Sequence, residues 1–214
     1  MPSISRRLIN LSAVHAVLLG DERQTRGTIK LNGKEKRLSS PHGALKNGIV
    51  AIPKERRIEG IIGIRSVGEN IVIASLDRLK KGLFLSPKKV AKEGNRWIER
   101  LSIKCKDVNE PVQSLSGGNA QKVVFARALE SETSIIILDH PTRGVDVGAK
   151  EEIYSIIRDI TAGGTAVIVL GDTLDECIAL SSRILVMKDG ILTKQVDAPK
   201  DNKPSQFEII QSMM

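Results

Sequence analysis

The residues whose types and spacing could do chemistry begin at Ser116, which is followed by Gly117 and Gly118. A serine here is a favourable helix N-cap, and two glycines leave the first backbone N–H groups of the helix uncovered. Free donors and the positive end of the helix dipole together bind anions such as phosphate. Polar side chains follow at three positions: Asn119, Gln121 and Lys122. The Ser-Gly-Gly run is equally compatible with a turn that only starts a helix.

A second candidate is the aspartate that ends the apolar run Ile135–Asp139. An unbroken aliphatic stretch predicts a central strand of a parallel sheet, and ligands bind where such strands end. A carboxylate at that point can hold Mg²⁺ that bridges phosphates. Asp139 could instead be an N-cap in a turn, and Asp146 is placed to cap a helix predicted from Ala149.

Length and composition are those of a globular protein: 214 residues, 41% hydrophobic and 27% charged. Lysine and arginine outnumber acidic residues by 33 to 25, and the excess lies in residues 1–110. A basic half could face nucleic acid, a phosphorylated ligand or an anionic membrane, or it could be a solvated surface. Aromatic residues make up only 2%, which leaves few platforms for stacking bases.

The elements that position these residues follow from hydrophobic periodicity and turn residues. In the first half, the pattern predicts a helix over 6–19, a hairpin over 27–38, a strand over 48–52, and helical structure over 65–106, with one segment from Pro87 to about Leu101. In the second half, it predicts a helix over 118–129, a strand over 134–138, a helix over 149–161, a strand over 166–170, a helix over 173–181, and a hairpin of 183–188 with 191–196. Helices that alternate with short apolar strands predict an α/β fold with a largely parallel sheet.

Together these blocks resemble the ATP-binding-cassette (ABC) ATPases. The run Leu115–Lys122 is similar to their signature motif, and Ile135–Asp139 is similar to their Walker B strand. The run Pro141–Lys150 resembles the loop that follows Walker B in monosaccharide importers of the ribose, xylose and galactoside type. In those importers the ATPase subunit carries two cassettes in one chain. The resemblance covers about residues 20–196 and is to the second, C-terminal cassette.

The resemblance implies a P-loop NTPase fold of the ABC type, incomplete at the N-terminus, with a small antiparallel side sheet and a helical subdomain. We expect one domain over residues 1–214. Its expected parts are a non-matching or remnant helix (1–20), a helical subdomain with the signature (about 65–130), Walker B and the following core (about 131–196), and a tail (197–214).

The resemblance also implies roles for individual residues. The signature residues expected to contact ATP are Leu115, Ser116, Gly117, Gly118, Asn119 and Gln121. Asp139 takes the Walker B metal position, and Gly144 and Asp146 take the positions of the D-loop. The segment Pro53, Lys54 and Glu55 matches the Gln loop, which touches the membrane subunits. ATP and Mg²⁺ are the implied cofactors, both bound mainly through a partner cassette.

Three departures from the family pattern affect the site. The sequence contains no Gly-x-x-x-x-Gly-Lys-Ser/Thr run, so we expect the chain to be truncated before or within that phosphate loop. His140 stands where the family has a glutamate that orients or deprotonates water, and is either a substitute base or inert. Asp172 stands where the family has its switch histidine, and could simply cap the next helix. We therefore expect negligible ATP hydrolysis by this chain alone.

Three functions remain to be distinguished. The first is an ATP-binding subunit or fragment of a sugar importer that supplies its signature in trans, at the cytoplasmic face of the membrane. Its expected partners are a second cassette, permease subunits and, indirectly, a sugar-binding protein, with no nucleic acid. The second is a catalytically dead regulatory cassette that docks on transporter subunits. The third is a DNA-maintenance ATPase, which the block from Arg143 to Gly148 disfavours.

Overall fold

A computed structural model describes residues 11–81 and 84–213. They form two compact units, one of Gly48–Asp172 and the other of the residues before and after it. The helices and strands in chain order are α1 (Leu11–Leu19), β1 (Ile29–Leu31), β2 (Lys34–Lys36), α2 (Pro41–Lys46), β3 (Ile49–Ile52), α3 (Val67–Val72), α4 (Leu76–Leu79), β4 (Lys80–Lys81), β5 (Phe84–Leu85), α5 (Pro87–Arg100), α6 (Gly117–Glu130), β6 (Ile135–Asp139), α7 (Val147–Ala162), β7 (Ala166–Leu170), α8 (Leu174–Leu180), β8 (Arg183–Lys188), β9 (Ile191–Asp197) and α9 (Gln206–Ile210). A π-helical turn spans Arg56–Gly60, and short 3-10 turns span Ile73–Ser75 and Val112–Ser114. Within the described residues, none of the helices combines the length and apolarity that a bilayer span requires.

The unit formed by the two ends of the described chain contains two antiparallel hairpins, β1–β2 and β8–β9. Asn32-Gly33 joins the first pair and Asp189-Gly190 the second, and all four residues have positive φ. This left-handed conformation matches the strand twist and favours asparagine, aspartate and glycine, so both predicted hairpins are confirmed. The helix predicted over 6–19 is described only as α1, since residues 6–10 lie outside the described part.

The Gly48–Asp172 unit contains a three-stranded sheet in the order β3-β6-β7, with both pairs parallel. The predicted parallel sheet is therefore confirmed. The central strand β6 is its most buried part, with Ile136, Ile137 and Leu138 at most 1% exposed. Because parallel strands end at the same edge, Ile52, Asp139 and Leu170 bring the segments that follow them to one side of the unit.

A helical part of the same unit packs α3, α5 and α6 around a second core that includes Val67, Ile71, Trp97 and Val123. The prediction of helical structure throughout 65–106 is wrong in its middle and at its end. The short strands β4 and β5 separate α4 from α5, and residues 101–106 are not helical. The segment predicted from Pro87 to about Leu101 is confirmed as α5. Pro87 explains the break before α5, because the residue before a proline is forced towards extended backbone, and Ser86 is extended.

Candidate functional site

The carboxyl edge of the parallel sheet brings together the residues predicted at the Walker B, base and switch positions. Asp139 pairs in register with Leu170, and the backbone N–H of His140 donates to the Leu170 carbonyl at 2.7 Å. His140 has a φ of 50°, a left-handed conformation in which histidine is one of the better tolerated residues. The parallel register therefore places Asp172, two residues past Leu170, beside His140.

The imidazole of His140 lies between two carboxylates. Its Nδ1 is 2.5 Å from Oδ1 of Asp139, and its Nε2 is 3.7 Å from Oδ1 of Asp172. All three side chains are partly exposed. Asp172 does not cap α8, as one interpretation of the sequence held, because the extended Thr173 is the N-cap and its hydroxyl accepts from the Glu176 N–H.

The surroundings of Asp139 do not fit a resident Mg²⁺. In residues 11–81 and 84–213, no three acidic, histidine or cysteine side chains are grouped so that they could hold a metal ion. The one carboxylate that the sequence offered for Mg²⁺ already contacts the His140 ring, whereas Mg²⁺ demands an octahedron of oxygen ligands. Within the described part of the chain, Asp139 is thus without a grouped set of such side chains that could complete a metal site.

Ser116 is the N-cap of α6, as its sequence predicts. Its hydroxyl accepts from the Asn119 backbone N–H at 3.5 Å and from the Asn119 side-chain amide at 2.9 Å. Asn119 also accepts from the Lys104 backbone N–H, which fixes its orientation. Ser116 is exposed, and the first turn of this 14-residue helix carries no acidic residue. The positive end of the helix dipole is thus open to solvent and not neutralised from within.

The two signature glycines are required by close packing. A Cβ atom at Gly118 would lie 2.7 Å from Cβ of Ala149, where α6 meets α7. A Cβ atom at Gly117 would lie 2.6 Å from Nη2 of Arg56 and 3.1 Å from the Gly144 carbonyl oxygen. The collision at Gly118 is with a short side chain that cannot move aside, whereas a side chain at Gly117 would require the Arg56 guanidinium to shift.

The other signature residues point into the protein. Leu115 is 6% exposed and Gln121 only 1% exposed. The Lys122 ammonium group donates to the Ser102 carbonyl at 3.0 Å and pairs with Glu152 of α7 at 2.6 Å. These three side chains belong to the core or to the contact between helices. Among residues 115–122, Ser116 is the exposed one.

Asp146 is the N-cap of α7, and its carboxylate accepts from the Ala149 N–H at 2.8 Å. The capping role that its sequence position indicated is therefore confirmed. Gly144, in the same turn, has a φ of 66°. That left-handed conformation explains a glycine at this position.

The segment Pro53, Lys54 and Glu55 leaves the end of β3 and meets the turn of Gly144. Glu55 is ion-paired with Arg143 at 2.9 Å. The next residue, Arg56, donates from Nη1 to the Arg143 carbonyl at 2.5 Å and from Nη2 to the Gly144 carbonyl at 2.8 Å. Burial, the largest cause, lowers the pKa of Arg56 from its ordinary value.

Sequence reasoning gave Arg56 no role of its own. Its acceptors are backbone carbonyls 87 and 88 residues away, and a carbonyl has no residue type that a sequence pattern could reveal. The structure thus brings 53–56, 143–144 and Gly117 together in one cluster, and joins Asp139, His140 and Asp172 in another. The Arg143 N–H donates to the His140 carbonyl at 3.1 Å, which links the two clusters.

Comparison with known proteins shows which family this chain resembles. The family profile described as ABC transporter matches residues 12–143. A ribose/galactose/methyl galactoside import ATP-binding protein of Rhizobium etli is 39% identical over 183 residues, which are 86% of this chain and 35% of that protein. The arabinose import ATP-binding protein AraG 1 of Burkholderia thailandensis is 39% identical over 200 residues, which are 92% of this chain and 40% of that protein. The chain thus spans well under half the length of these relatives.

Solved structures show the same fold. A nucleotide-free ATP-binding cassette from an ABC transporter superposes with a TM-score of 0.77 at 19% identity, covering 95% of this chain and 83% of that one. A dimeric cassette in a post-hydrolysis state, bound to ADP and phosphate, gives a TM-score of 0.72 at 19% identity, covering 87% of this chain and 80% of that one. The family profile matches more than half of the residues, and the fold is that of ABC ATPases. The chain therefore belongs to the ABC transporter family of ATP-binding proteins.

Proposed function

We propose that this chain acts in a monosaccharide importer, where the tip of α6 closes over the γ-phosphate of an ATP held by another cassette. The supporting observation is the exposed N-cap Ser116 at the un-neutralised start of α6. Backbone N–H groups at a helix start stabilise developing negative charge when they are fixed in advance, as the packed Gly117 and Gly118 are. The names of the relatives, which import ribose, galactose or arabinose, favour a small sugar as cargo.

In such a pair of cassettes, the carboxyl edge of this chain's own parallel sheet is the weaker ATP site. His140 and Asp139 contact each other, and no phosphate-loop motif occurs in the sequence. A second carboxylate, Asp172, would repel a γ-phosphate at this edge. ATP, with its Mg²⁺, is therefore bound mainly by the partner cassette, and the chain alone hydrolyses ATP negligibly.

This role requires three other components, which are the partner cassette, permease subunits and a sugar-binding protein. Segment 53–55 faces permease subunits, as the family's Gln loop does, and a sugar-binding protein acts on the far side of the membrane. The chain itself sits peripherally at the cytoplasmic face. The alternative role is that of a regulatory cassette that docks on transporter subunits without contributing to ATP turnover.

A mixing experiment separates the two roles. The first cassette of the Burkholderia thailandensis relative is assayed for ATP hydrolysis with and without this chain. We expect the chain to raise the rate several-fold. Ser116→Asp should abolish the increase, because aspartate caps a helix as well as serine does but repels the triphosphate, whereas the neutral cap in Ser116→Asn should retain most of it.

Two results would overturn the signature role. One is a rate that wild-type chain does not change. The other is equal stimulation by the Asp and Asn variants. Co-elution with transporter subunits that is independent of ATP and of residue 116 would then support the regulatory alternative.

A further inference from the structure

Arg56 joins three segments that are distant in sequence. Its guanidinium donates to two successive carbonyls of the turn after β6, those of Arg143 and Gly144. The Arg143 side chain in turn forms an ion pair with Glu55, the residue before Arg56. Segment 53–56 and the turn therefore hold each other through both backbone and side-chain contacts.

The third segment is the start of α6. Nη2 of Arg56 lies where a side chain on Gly117 would be, and the Gly144 carbonyl borders the same space. The guanidinium group thus fills the gap between the turn and the first residue of the signature helix. A planar fork with two parallel donors can bridge two neighbouring carbonyls, whereas the single ammonium group of lysine can satisfy only part of that geometry.

The Arg56 guanidinium belongs to a partly buried side chain. Burial withdraws it from water and lowers the pKa of Arg56, and the repulsion of the adjacent Arg57 acts in the same direction. Hydrogen bonds from a charged donor are about twice as strong as neutral ones. Removing Arg56 would leave two carbonyls without their partners and an unfilled space beside Gly117.

We propose that Arg56 is a positioning residue that fixes the 143–144 turn to the first turn of α6, so that both move together with segment 53–56. Its effect on catalysis rests on the proposed function, since it acts through the tip of α6. A change that a partner imposes on segment 53–56 would reach the phosphate-binding tip of α6 by way of the Arg56 guanidinium.

A double-mutant cycle tests the contact without reference to function. Gly117→Ala and Arg56→Gln are made singly and together, and the melting temperature of each variant is measured. Because the alanine methyl group collides with Arg56, the double variant should lose less in Tm than the two single variants combined. If the Tm loss of the double variant equals the sum of the two single losses, the contact between Arg56 and position 117 is contradicted.

Hydrogen exchange tests the positioning itself. In Arg56→Gln, the amides of Arg143 and Val145, which bond within the turn, should exchange several-fold faster. Arg57→Gln, which removes the exposed neighbouring arginine, should leave them unchanged. Unchanged exchange in Arg56→Gln, or equal acceleration in both variants, would overturn the proposal.

The mixing assay tests the consequence for catalysis. Arg56→Gln should lower the stimulated kcat of the partner cassette several-fold and leave its KM for ATP unchanged, and Arg56→Lys should recover only part of the loss. If Arg56→Gln changes the KM for ATP and leaves kcat unchanged, the predicted effect of Arg56 on catalysis is contradicted. If wild-type chain gives no stimulation, the proposed function fails, while the melting and exchange experiments still decide whether Arg56 positions the turn and the helix.

Discussion

The Cα atom of Gly118 packs against the methyl group of Ala149, so that α6 and α7 approach each other through two residues with almost no side chain. A Cβ at position 118 would come within 2.7 Å of that methyl carbon. The second signature glycine is thus a packing requirement in this chain, whatever it also does for a nucleotide.

The first prediction concerns this contact. Gly118→Ala should destabilise the protein by about 1–3 kcal/mol, the usual cost of forcing an extra carbon into a well-packed interface. Urea unfolding of Gly118→Ala and of Gly118→Ala with Ala149→Gly measures it. The second variant should recover most of the loss, and equal instability of the two would show that the collision is not with Ala149.

The second prediction concerns Glu130, a carboxylate that is only 3% exposed at the end of α6. It accepts from the Trp97 indole at 2.6 Å and pairs with Arg96 at 2.6 Å and Arg78 at 2.8 Å. Glu130→Gln should cost roughly 2 kcal/mol, because the NH₂ that replaces one carboxylate oxygen would face donors and the neutral amide cannot pair with Arg96 and Arg78.

The control for that variant is Glu132→Gln. Glu132 also pairs with Arg78, but its side chain is 73% exposed. Such surface pairs contribute less than about 1 kcal/mol. Denaturant unfolding in which both variants lose the same stability would contradict a special role for Glu130.

The third prediction concerns Asn70, which is fully buried in α3. Its Oδ1 accepts from the Ile62 N–H and from Arg127, while its Nδ2 donates to three carbonyls, those of Ile62, Arg65 and Ser66. Asn70→Asp would give the buried Arg127 a carboxylate partner but would set an oxygen against the three carbonyls. We expect a net loss of about 2 kcal/mol in unfolding free energy.

The matched control is Asn95→Asp on the exposed face of α5, which should change stability by no more than about 0.5 kcal/mol. A more stable Asn70→Asp protein would mean that the new ion pair with Arg127 outweighs the loss of the three donated hydrogen bonds.

The fourth prediction concerns pH. The Ser66 backbone N–H donates to Glu69, closing a capping box at the start of α3, and this contact is the largest cause that lowers the pKa of Glu69 below its ordinary 4.5. A carboxyl group with a lowered pKa in the folded state stabilises the fold above the pKa of the unfolded chain. That stability disappears as the pH falls through the folded pKa.

Comparison of wild type with Glu69→Gln isolates this contribution. The difference in unfolding free energy should be constant between pH 6 and 8, and it should shrink as the pH falls below about 4.5. Chemical unfolding at a series of pH values measures it. A difference that stays the same down to pH 3 would contradict the capping role of the charged carboxylate.

The fifth prediction concerns the three side chains at the sheet edge. His140→Glu, which restores the residue of the family pattern, should lower stability by about 1 kcal/mol, because it sets a third carboxylate beside Asp139 and Asp172. Adding Asp172→Asn should recover part of this loss. Thermal unfolding of the single and double variants measures it, and the absence of recovery would show that Asp172 does not contribute to the environment of residue 140.

Much of the local structure could be predicted because its causes are local. Asn32-Gly33 and Asp189-Gly190 determine their turns through backbone conformations that few other residues adopt. Ser116 caps α6 because a serine hydroxyl can accept from N–H groups of the following turn. The aliphatic run that ends at Asp139 forms a buried strand because its side chains can be withdrawn from water on both faces of a sheet.

The sequence by itself determined the elements and the family resemblance, including the N-cap Ser116 at the start of α6. Only the tertiary structure decided which residues meet. The register of β6 and β7 places Asp172 beside His140, and the packing of α6 leaves the side chains of Gln121 and Lys122 buried. The role of Arg56 was invisible in the sequence, because its partners are backbone carbonyls, which every residue possesses and only folding brings within reach.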